Sequence, residues 1–117
     1  MWHLPDTLRG LLDAGCDNLV LELIETFLGD TASRCGRLQL AVSVRDASRV
    51  KAEAHSMRGS ARQMGADALA DLCQTLETGA SLADWTALEH QVNQVSLRFA
   101  EVRSAMSEYA TVNQRTE

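Results

Sequence analysis

The sequence predicts one all-α domain, an antiparallel up-down-up-down four-helix bundle with a short additional helix at its N-terminus. The chain of 117 residues has one proline and 4% aromatic residues, and residues that favour helices are abundant. Apolar residues recur every three or four positions along four long segments, as in helices with one buried face. Short connections join these segments, so consecutive helices are expected to be antiparallel neighbours. The length suits a single domain over residues 1–117.

The first two helices are separated by a glycine. A short helix is expected at about residues 5–14, opened by the proline and ended by Gly15 in a left-handed conformation. The bundle is expected at about residues 17–110. Gly29 and Gly36 lie inside its first helix, and each weakens a helix interior by about 1 kcal/mol relative to alanine. They allow a bend or a break, but one long helix is the prediction.

Capping residues delimit the next two helices. Asp46 is the expected N-cap of the third helix, and Gly65 is expected to end it. Its predicted inward residues alternate spacings of four and three, as in a bundle; they are Val50, Ala54, Met57, Ala61 and Met64. Asp67 and Gly79 are the expected caps of the fourth helix.

The last helix has the most regular apolar stripe. It is expected to begin either with a capping box at Ser81 or with Asp84 as its N-cap. The stripe consists of Leu88, Val92, Val95, Phe99, Val102, Met106 and Tyr109. Residues 111–117 are polar and are expected to form a frayed tail.

The composition excludes several classes of protein. A net charge of −5 is unfavourable for a protein that binds nucleic acid through many cations. No segment approaches the roughly 18 apolar residues of a membrane-spanning helix, so direct membrane insertion is not expected. The three cysteines are too far apart for a structural zinc site, and their odd number is unlike a disulfide framework. A reducing cytoplasm is therefore the expected location.

His55 is the candidate reactive residue. It comes one residue after inward Ala54 and two before inward Met57, which turns it toward the outside of the third helix. Arg58 and Gly59 follow His55 by three and four residues, and a second arginine follows it by seven. At these spacings all three lie on the same face of the helix as His55. The pattern predicts an exposed histidine beside cations and a patch of bare backbone.

Each of these residue types has a use if His55 accepts a phosphoryl group. A neutral imidazole nitrogen is a nucleophile near pH 7. Arg58 can pair with phosphate oxygens, and Gly59 removes a side chain that would block an approaching protein. Residues 45–62 contain five basic and two acidic residues, so positive charge is concentrated around His55 in an acidic chain. Spacing alone fits a solvated surface histidine as well.

A match to a family signature favours a phosphoryl acceptor over a solvated surface histidine. The matching residues are Ala54, His55, Met57, Arg58, Gly59, Ser60, Ala61, Met64, Gly65, Leu69, Cys73, Leu76 and Glu77. This pattern resembles the histidine phosphotransfer family of bacterial and eukaryotic phosphorelays, whose signature reads roughly Ala-His-x-Leu-Lys-Gly, then small residues, an apolar residue and Gly, followed by Leu-x-x-x-Cys-x-x-Leu-Glu. Met57 replaces the usual leucine. Arg58 replaces the usual lysine, which keeps the charge but allows bidentate phosphate contacts.

The resemblance implies a phosphocarrier. His55 would take a phosphoryl group on Nε2 from a receiver-domain aspartate and pass it to another receiver, while Arg58 stabilises the phosphate. The receiver, of a response regulator or hybrid histidine kinase, would supply Mg²⁺ and an acidic pocket. The chain itself would need no metal or cofactor and would have no kinase activity of its own; it is expected to act as a monomer. The candidate receiver-docking residues are Lys51, Ala52, Ser56, Gly59, Arg62 and Gln63, helped by exposed apolar residues of the second helix.

Two alternatives belong to other classes. A non-catalytic module could bind a receiver or kinase with the same bundle face, and its binding would not depend on His55. The dimerisation and phosphoacceptor domain of a histidine kinase also exposes a histidine on a helical bundle, but each protomer needs to supply only two helices. The chain could be a stand-alone carrier or one end of a hybrid kinase, and its receivers and the direction of phosphoryl flow are not encoded in a recognisable way.

Overall fold

The protein forms five α-helices in a computed structural model that describes residues 2–114, and no strand is present in that range. The helices are α1 (Asp6–Asp13), α2 (Asp17–Ser43), α3 (Ala47–Gln63), α4 (Asp67–Ala80) and α5 (Trp85–Gln114). The predicted all-α class is confirmed, and α2 runs unbroken through both of its glycines. None of the described helices is long and apolar enough to cross a bilayer.

Helices α2 to α5 surround one elongated core. Each of α3 and α5 packs on α2 and α4, whereas the backbones of α3 and α5 do not approach each other closely, and α1 packs on α2. The inward residues predicted for α3 are all buried, as are those of α5 except half-buried Tyr109. On α2, Leu23 belongs to the periodic apolar pattern but is exposed. The helical period of the apolar residues therefore identifies the face of α2 that is buried, but it does not show that a residue at the edge of that face is exposed.

Three helix ends follow the sequence. The carboxylate of Asp46 accepts a hydrogen bond of 3.0 Å from the backbone N–H of Arg49, which satisfies a donor of the first turn of α3. Gly15 and Gly65 have φ angles of +82° and +73°. Glycine adopts this left-handed conformation without the steric cost that a Cβ brings, so these residues can reverse the chain after α1 and α3.

Neither predicted cap of α4 lies at the position of the observed cap. The N-cap is Ala66, which has no side-chain oxygen to offer, and Asp67 is the first helical residue. There its carboxylate still interacts favourably with the helix dipole. Gly79 lies inside the helix, which ends at Ala80. The left-handed residue of this connection is Ala83, so the chain reverses four residues later than the glycine suggested.

The start and end of α5 differ in how well the sequence predicts them. Asp84 accepts a hydrogen bond of 3.2 Å from the backbone N–H three residues ahead, so it is the N-cap, and the capping box at Ser81 is wrong. At the other end, residues 111–114 continue the helix and are not a frayed tail, while residues 115–117 lie outside the described part. Thr111 and another polar residue of this turn donate to backbone carbonyls four residues earlier, which supports the added turn.

The N-terminal segment packs across one end of the bundle. The indole Nε1 of Trp2 donates a hydrogen bond of 2.6 Å to the carbonyl of Met64. The Trp2 ring also packs edge-on against Tyr109, with 5.9 Å between the ring centroids. At the opposite end, the guanidinium of Arg45 lies 5.9 Å from the ring centroid of Trp85. Both tryptophans therefore anchor helix ends.

Ala83→Gly is expected to stabilise the fold. The φ angle of Ala83 is +52°, and a left-handed conformation costs a residue with a Cβ about 1 kcal/mol. The greater freedom of glycine in the unfolded chain offsets part of this gain, so we expect about 0.5 kcal/mol and a thermal midpoint about 2 °C higher. The matched control is Ala100→Gly at an exposed position within α5, which should lose about 1 kcal/mol. Destabilisation by both variants would contradict the prediction.

Candidate functional site

His55 lies on the exposed side of α3. Its side chain is 63% exposed, whereas Ala54 and Met57 on the same helix are buried in the core. Because core residues stand one position before and two positions after it, the helical period turns His55 outward. The structure thus places the imidazole where another protein can reach it.

A carboxylate from α4 fixes the imidazole ring. Oε1 of Glu77 lies 2.8 Å from Nδ1 of His55, and the Glu77 side chain is only 17% exposed. An ionised carboxylate can only accept hydrogen bonds, so Nδ1 must carry the hydrogen and donate it. The neutral ring then has its unprotonated nitrogen at Nε2. Glu77 thereby selects both the orientation and the tautomer of a ring that can act as a nucleophile at Nε2.

Arg58 joins this pair on the side of α4. Its Nη1 lies 3.5 Å from Oε2 of Glu77, and its Nη2 lies 3.3 Å from Nδ1 of His55. Nδ1 cannot accept a hydrogen bond from Arg58 while its own hydrogen is donated to Glu77, so the ion pair with Glu77 is the interaction that holds Arg58. Its side chain is 31% exposed, which leaves the guanidinium room to turn toward a group bound at Nε2.

Gly59 leaves open space beside the histidine. It is exposed, and a Cβ built on it would meet no atom within 4 Å. The glycine is therefore not required by packing within the chain, although it weakens the helix. What it provides is a low surface next to His55, as the sequence analysis expected for the approach of a partner.

The other predicted docking residues are spread along α3. Lys51, Ala52, Arg62 and Gln63 are exposed, and Ser56 is half-buried.

Arg62 does not join the group around His55. Its Nη2 donates to Oδ1 of Asp71 at 3.2 Å and to Oε1 of Gln74 at 3.0 Å. Both partners are on α4, so the Arg62 side chain leans toward that helix, two helical turns from His55. Its interaction in the structure is a link between α3 and α4.

Comparison with known proteins agrees with this geometry. The sequence model of the Hpt domain matches residues 22–110. The chain belongs to the Hpt domain family. Proteins of this family are phosphocarriers of phosphorelays and not kinases.

A solved structure shows the same Hpt fold. The crystal structure of histidine-containing phosphotransfer protein B (HptB) from Pseudomonas aeruginosa PAO1 is similar, with a TM-score of 0.82 and 28% sequence identity. The alignment covers 93% of this chain and 95% of HptB. A search of curated proteins finds no match.

Glu77 is the residue of the Hpt site to which the sequence analysis gave no role. It was recognised only as part of the family signature. Which α4 residue faces His55 depends on how two helices pack, and the period of either helix alone does not specify that. A usable signal was its place directly after buried Leu76 and four residues after buried Cys73, at the edge of the core face of α4.

An ion-pair cluster built on a buried carboxylate fastens α2 to α3 next to the site. Glu53 precedes His55 by two residues and faces the opposite way, with its side chain 6% exposed. Its Oε1 accepts from Arg34 at 2.9 Å and its Oε2 from Arg37 at 2.6 Å. By sequence alone, Glu53 is one of the two acidic residues among the charges around His55. In this structure its carboxylate binds two cations of α2.

Two of the three cysteines are ruled out as nucleophiles that compete with His55. Cys35 and Cys73 are buried. Burial raises the pKa of the Cys73 thiol to about 12 and also raises the pKa of Cys35, so both thiols are protonated at neutral pH and poorly reactive. In residues 2–114, no three His, Cys, Asp or Glu side chains lie together in a group that could hold a metal ion.

Proposed function

We propose that this Hpt domain accepts a phosphoryl group on His55 Nε2 from a receiver aspartate and passes it to another receiver. The observation that carries the proposal is the hydrogen bond of 2.8 Å between Nδ1 of an exposed His55 and Glu77. It leaves Nε2 as the nucleophilic nitrogen on a surface that a partner can reach. The family to which the chain belongs supports the same chemistry.

The transfer step is a displacement at phosphorus. The lone pair of His55 Nε2 attacks the phosphorus of the receiver's aspartyl phosphate, the N–P bond forms, and the bond from phosphorus to the carboxylate oxygen breaks. The aspartate leaves with that electron pair as a free carboxylate. The ring becomes positively charged, and Glu77 stabilises it through Nδ1–H. Arg58 turns from Glu77 to the phosphate oxygens. Mg²⁺ and the acidic pocket belong to the receiver, and the chain needs no cofactor.

Residues 1–117 constitute one domain, and the bundle is antiparallel and up-down-up-down, which the short connections between its helices support. It acts as a cytoplasmic monomer on receivers of response regulators or hybrid histidine kinases. The residues that contact the receiver are Lys51, Ala52, Ser56, Gly59, Arg62 and Gln63.

The test is phosphorylation by a receiver. Receiver domains from the source genome are phosphorylated with acetyl phosphate and Mg²⁺, freed of the donor and mixed with the chain. We expect a phosphate on one peptide, mapped to His55 by mass spectrometry and lost in acid as phosphohistidine is. ATP and Mg²⁺ alone should leave the chain unlabelled. A receiver that binds without transferring phosphate would favour the non-catalytic binding module, and a constitutive dimer would favour the kinase dimerisation domain.

Glu77→Ala is expected to slow phosphorylation of His55 on the order of 10- to 100-fold, because the ring loses the acceptor that fixes its tautomer and orientation. The rate is measured with phosphoramidate, a small donor that phosphorylates histidine without a docked protein, by following intact mass. Glu77→Gln keeps an oxygen that can accept from Nδ1, so it should retain more of the rate than Glu77→Ala.

The matched control is Glu89→Gln, which removes an exposed carboxylate on α5 and should leave the rate unchanged. The helical circular dichroism and the thermal midpoint of all three variants establish that they are folded. If folded Glu77→Ala reacts as fast as the wild type, Glu77 does not position the ring.

A further inference from the structure

A groove opens between α4 and α5 at the end of the bundle where α4 begins. It has a volume of about 430 Å³ and is lined by residues 65–69 and by residues of α5 from Arg98 to Glu108. Ala68 of α4 and Ala105 of α5 are among the lining residues, and their short side chains leave space between the two helices. Buried Leu69 and Val102 also line it, so apolar atoms form its bottom. We refer to this feature as the α4–α5 groove.

Contacts within the chain hold one wall of the α4–α5 groove in place. Trp2 supplies that wall. Its indole is fixed by the hydrogen bond of 2.6 Å to the carbonyl of Met64 and by the edge-on contact with Tyr109. A surface that is already ordered loses little conformational entropy when a partner docks on it. Tryptophan is also one of the side chains that contribute most to protein interfaces.

The rim of the α4–α5 groove is acidic. The charged residues that line it are Asp67, Arg98, Glu101 and Glu108. Nη1 of Arg98 lies 2.9 Å from Oε2 of Glu101, so these two charges neutralise each other. Asp67 and Glu108 are exposed, and neither forms an ion pair with another residue in the described part of the chain. An apolar floor beside two free carboxylates is complementary to an apolar surface that carries positive charge.

The α4–α5 groove is separate from the site of phosphoryl transfer. His55 lies on α3, and the backbones of α3 and α5 do not approach each other closely. Gly65, at the edge of the groove, follows His55 by ten residues, which is about 15 Å along the axis of α3. A protein bound in the groove and a receiver bound over His55 therefore occupy different faces of the bundle.

We infer that the α4–α5 groove docks a basic amphipathic helix of a partner protein other than the receiver. The groove follows α5 from Arg98 to Glu108, about 15 Å, which is the length of about three turns of a helix. Apolar side chains on one face of that helix fill the space between Ala68 and Ala105, and flanking lysine or arginine side chains reach the free carboxylates of the rim. The inference does not depend on phosphoryl transfer.

A second copy of this chain is a poor occupant of the α4–α5 groove. Each copy has a net charge of −5, and the groove is itself acidic, so two copies repel each other. The partner is therefore expected to be a different protein, with a basic surface.

The test uses a peptide of defined chemistry. The probe is about 14 residues long, lacks tryptophan, carries a fluorescent label and places leucines on one helical face with lysines on the flanks. Its control has the same composition in an order that spreads the leucines around the helix. We expect the wild-type chain to bind the amphipathic peptide on the order of 10-fold more tightly than the control, measured by fluorescence anisotropy. In Trp85→Phe, the emission of Trp2 should shift when the peptide binds.

Matched variants separate docking in the groove from general attraction to an acidic protein. Glu108→Lys is expected to weaken peptide binding on the order of 10-fold, and a lysine near the C-terminus of α5 is compatible with the helix. Glu89→Lys makes the same change in net charge at an exposed position near the start of α5 and should change binding much less. Ala105→Leu narrows the groove and should also weaken binding, whereas Ala100→Leu, on the exposed surface of α5, should not.

The remaining outcomes each decide for or against the inference. His55→Gln should bind the peptide as tightly as the wild type, and circular dichroism and the thermal midpoint establish that every variant is folded. Equal binding of the two peptides, equal losses in Glu108→Lys and Glu89→Lys, or weaker binding by folded His55→Gln would overturn the inference. A dimer of the wild type that Ala105→Leu dissociates would overturn it in favour of a second copy. A wild type that binds the peptide but is labelled by no receiver would overturn the proposed function alone.

Discussion

His55→Gln is expected to abolish phosphorylation of the chain by a receiver while the protein stays folded. The amide nitrogen of glutamine has no available lone pair for attack on phosphorus, so the carrier loses its nucleophile. The side chain of His55 is 63% exposed, and the groups in contact with its ring nitrogen are Glu77 and Arg58. Substitutions at such surface positions usually change stability by less than about 0.5 kcal/mol. Intact mass and the thermal midpoint measure the two effects.

The chain supplies matched controls for this variant. His3 and His90 are also exposed and offer unhindered imidazoles without a carboxylate partner in the described residues. His3→Gln and His90→Gln should be labelled at the wild-type rate. Label that persists on His55→Gln would identify a different acceptor, and loss of label in a folded control variant would show that His3 or His90 is itself required for labelling.

Glu53→Ala is expected to destabilise the fold by about 2–3 kcal/mol, because it removes a buried carboxylate that binds two guanidinium groups. The side chains of Arg34 and Arg37 are 24% and 42% exposed, so they can turn to solvent, and the loss is smaller than for a fully buried pair. For a domain of this length, the thermal midpoint should fall by on the order of 10 °C. Urea unfolding gives the free energy of unfolding directly.

Asp30→Ala is the control for Glu53→Ala. It removes the other carboxylate on Arg34, at 3.0 Å, but on an exposed helix surface. Such pairs contribute about 0.3–0.5 kcal/mol. A loss of stability in Glu53→Ala no larger than in Asp30→Ala would show that the α2–α3 cluster does not stabilise the bundle.

Features set within a single helix could be predicted from the sequence. The helical period fixes which way each residue of α3 faces, so buried Ala54 and Met57 were enough to place His55 outside. Local backbone chemistry likewise determined the turns at Gly15 and Gly65, where a positive φ favours glycine. These inferences needed no knowledge of how the helices meet.

Features that arise between helices could not be predicted in this way. The contact of Glu77 with His55 and the double ion pair of Glu53 both join residues of different helices. Each contact depends on how one helix is rotated and shifted along its axis against another. A shift of one residue would change which side chains meet. The predicted C-terminal cap of α4 was wrong for a related reason. Gly79 could have adopted a left-handed conformation, but the residue that adopts it is Ala83.

The placement of Glu77 on α4 limits how far this protein could be reduced in size. A minimal peptide that keeps only the α2–α3 hairpin would retain the histidine, Arg58 and Gly59. It would lack the acceptor for Nδ1–H, so the imidazole would exchange freely between tautomers and rotamers, and the arginine would lose its resting partner. Engineering of a miniature carrier would therefore have to transplant three helices, since the reactive group and the group that orients it are encoded 22 residues apart.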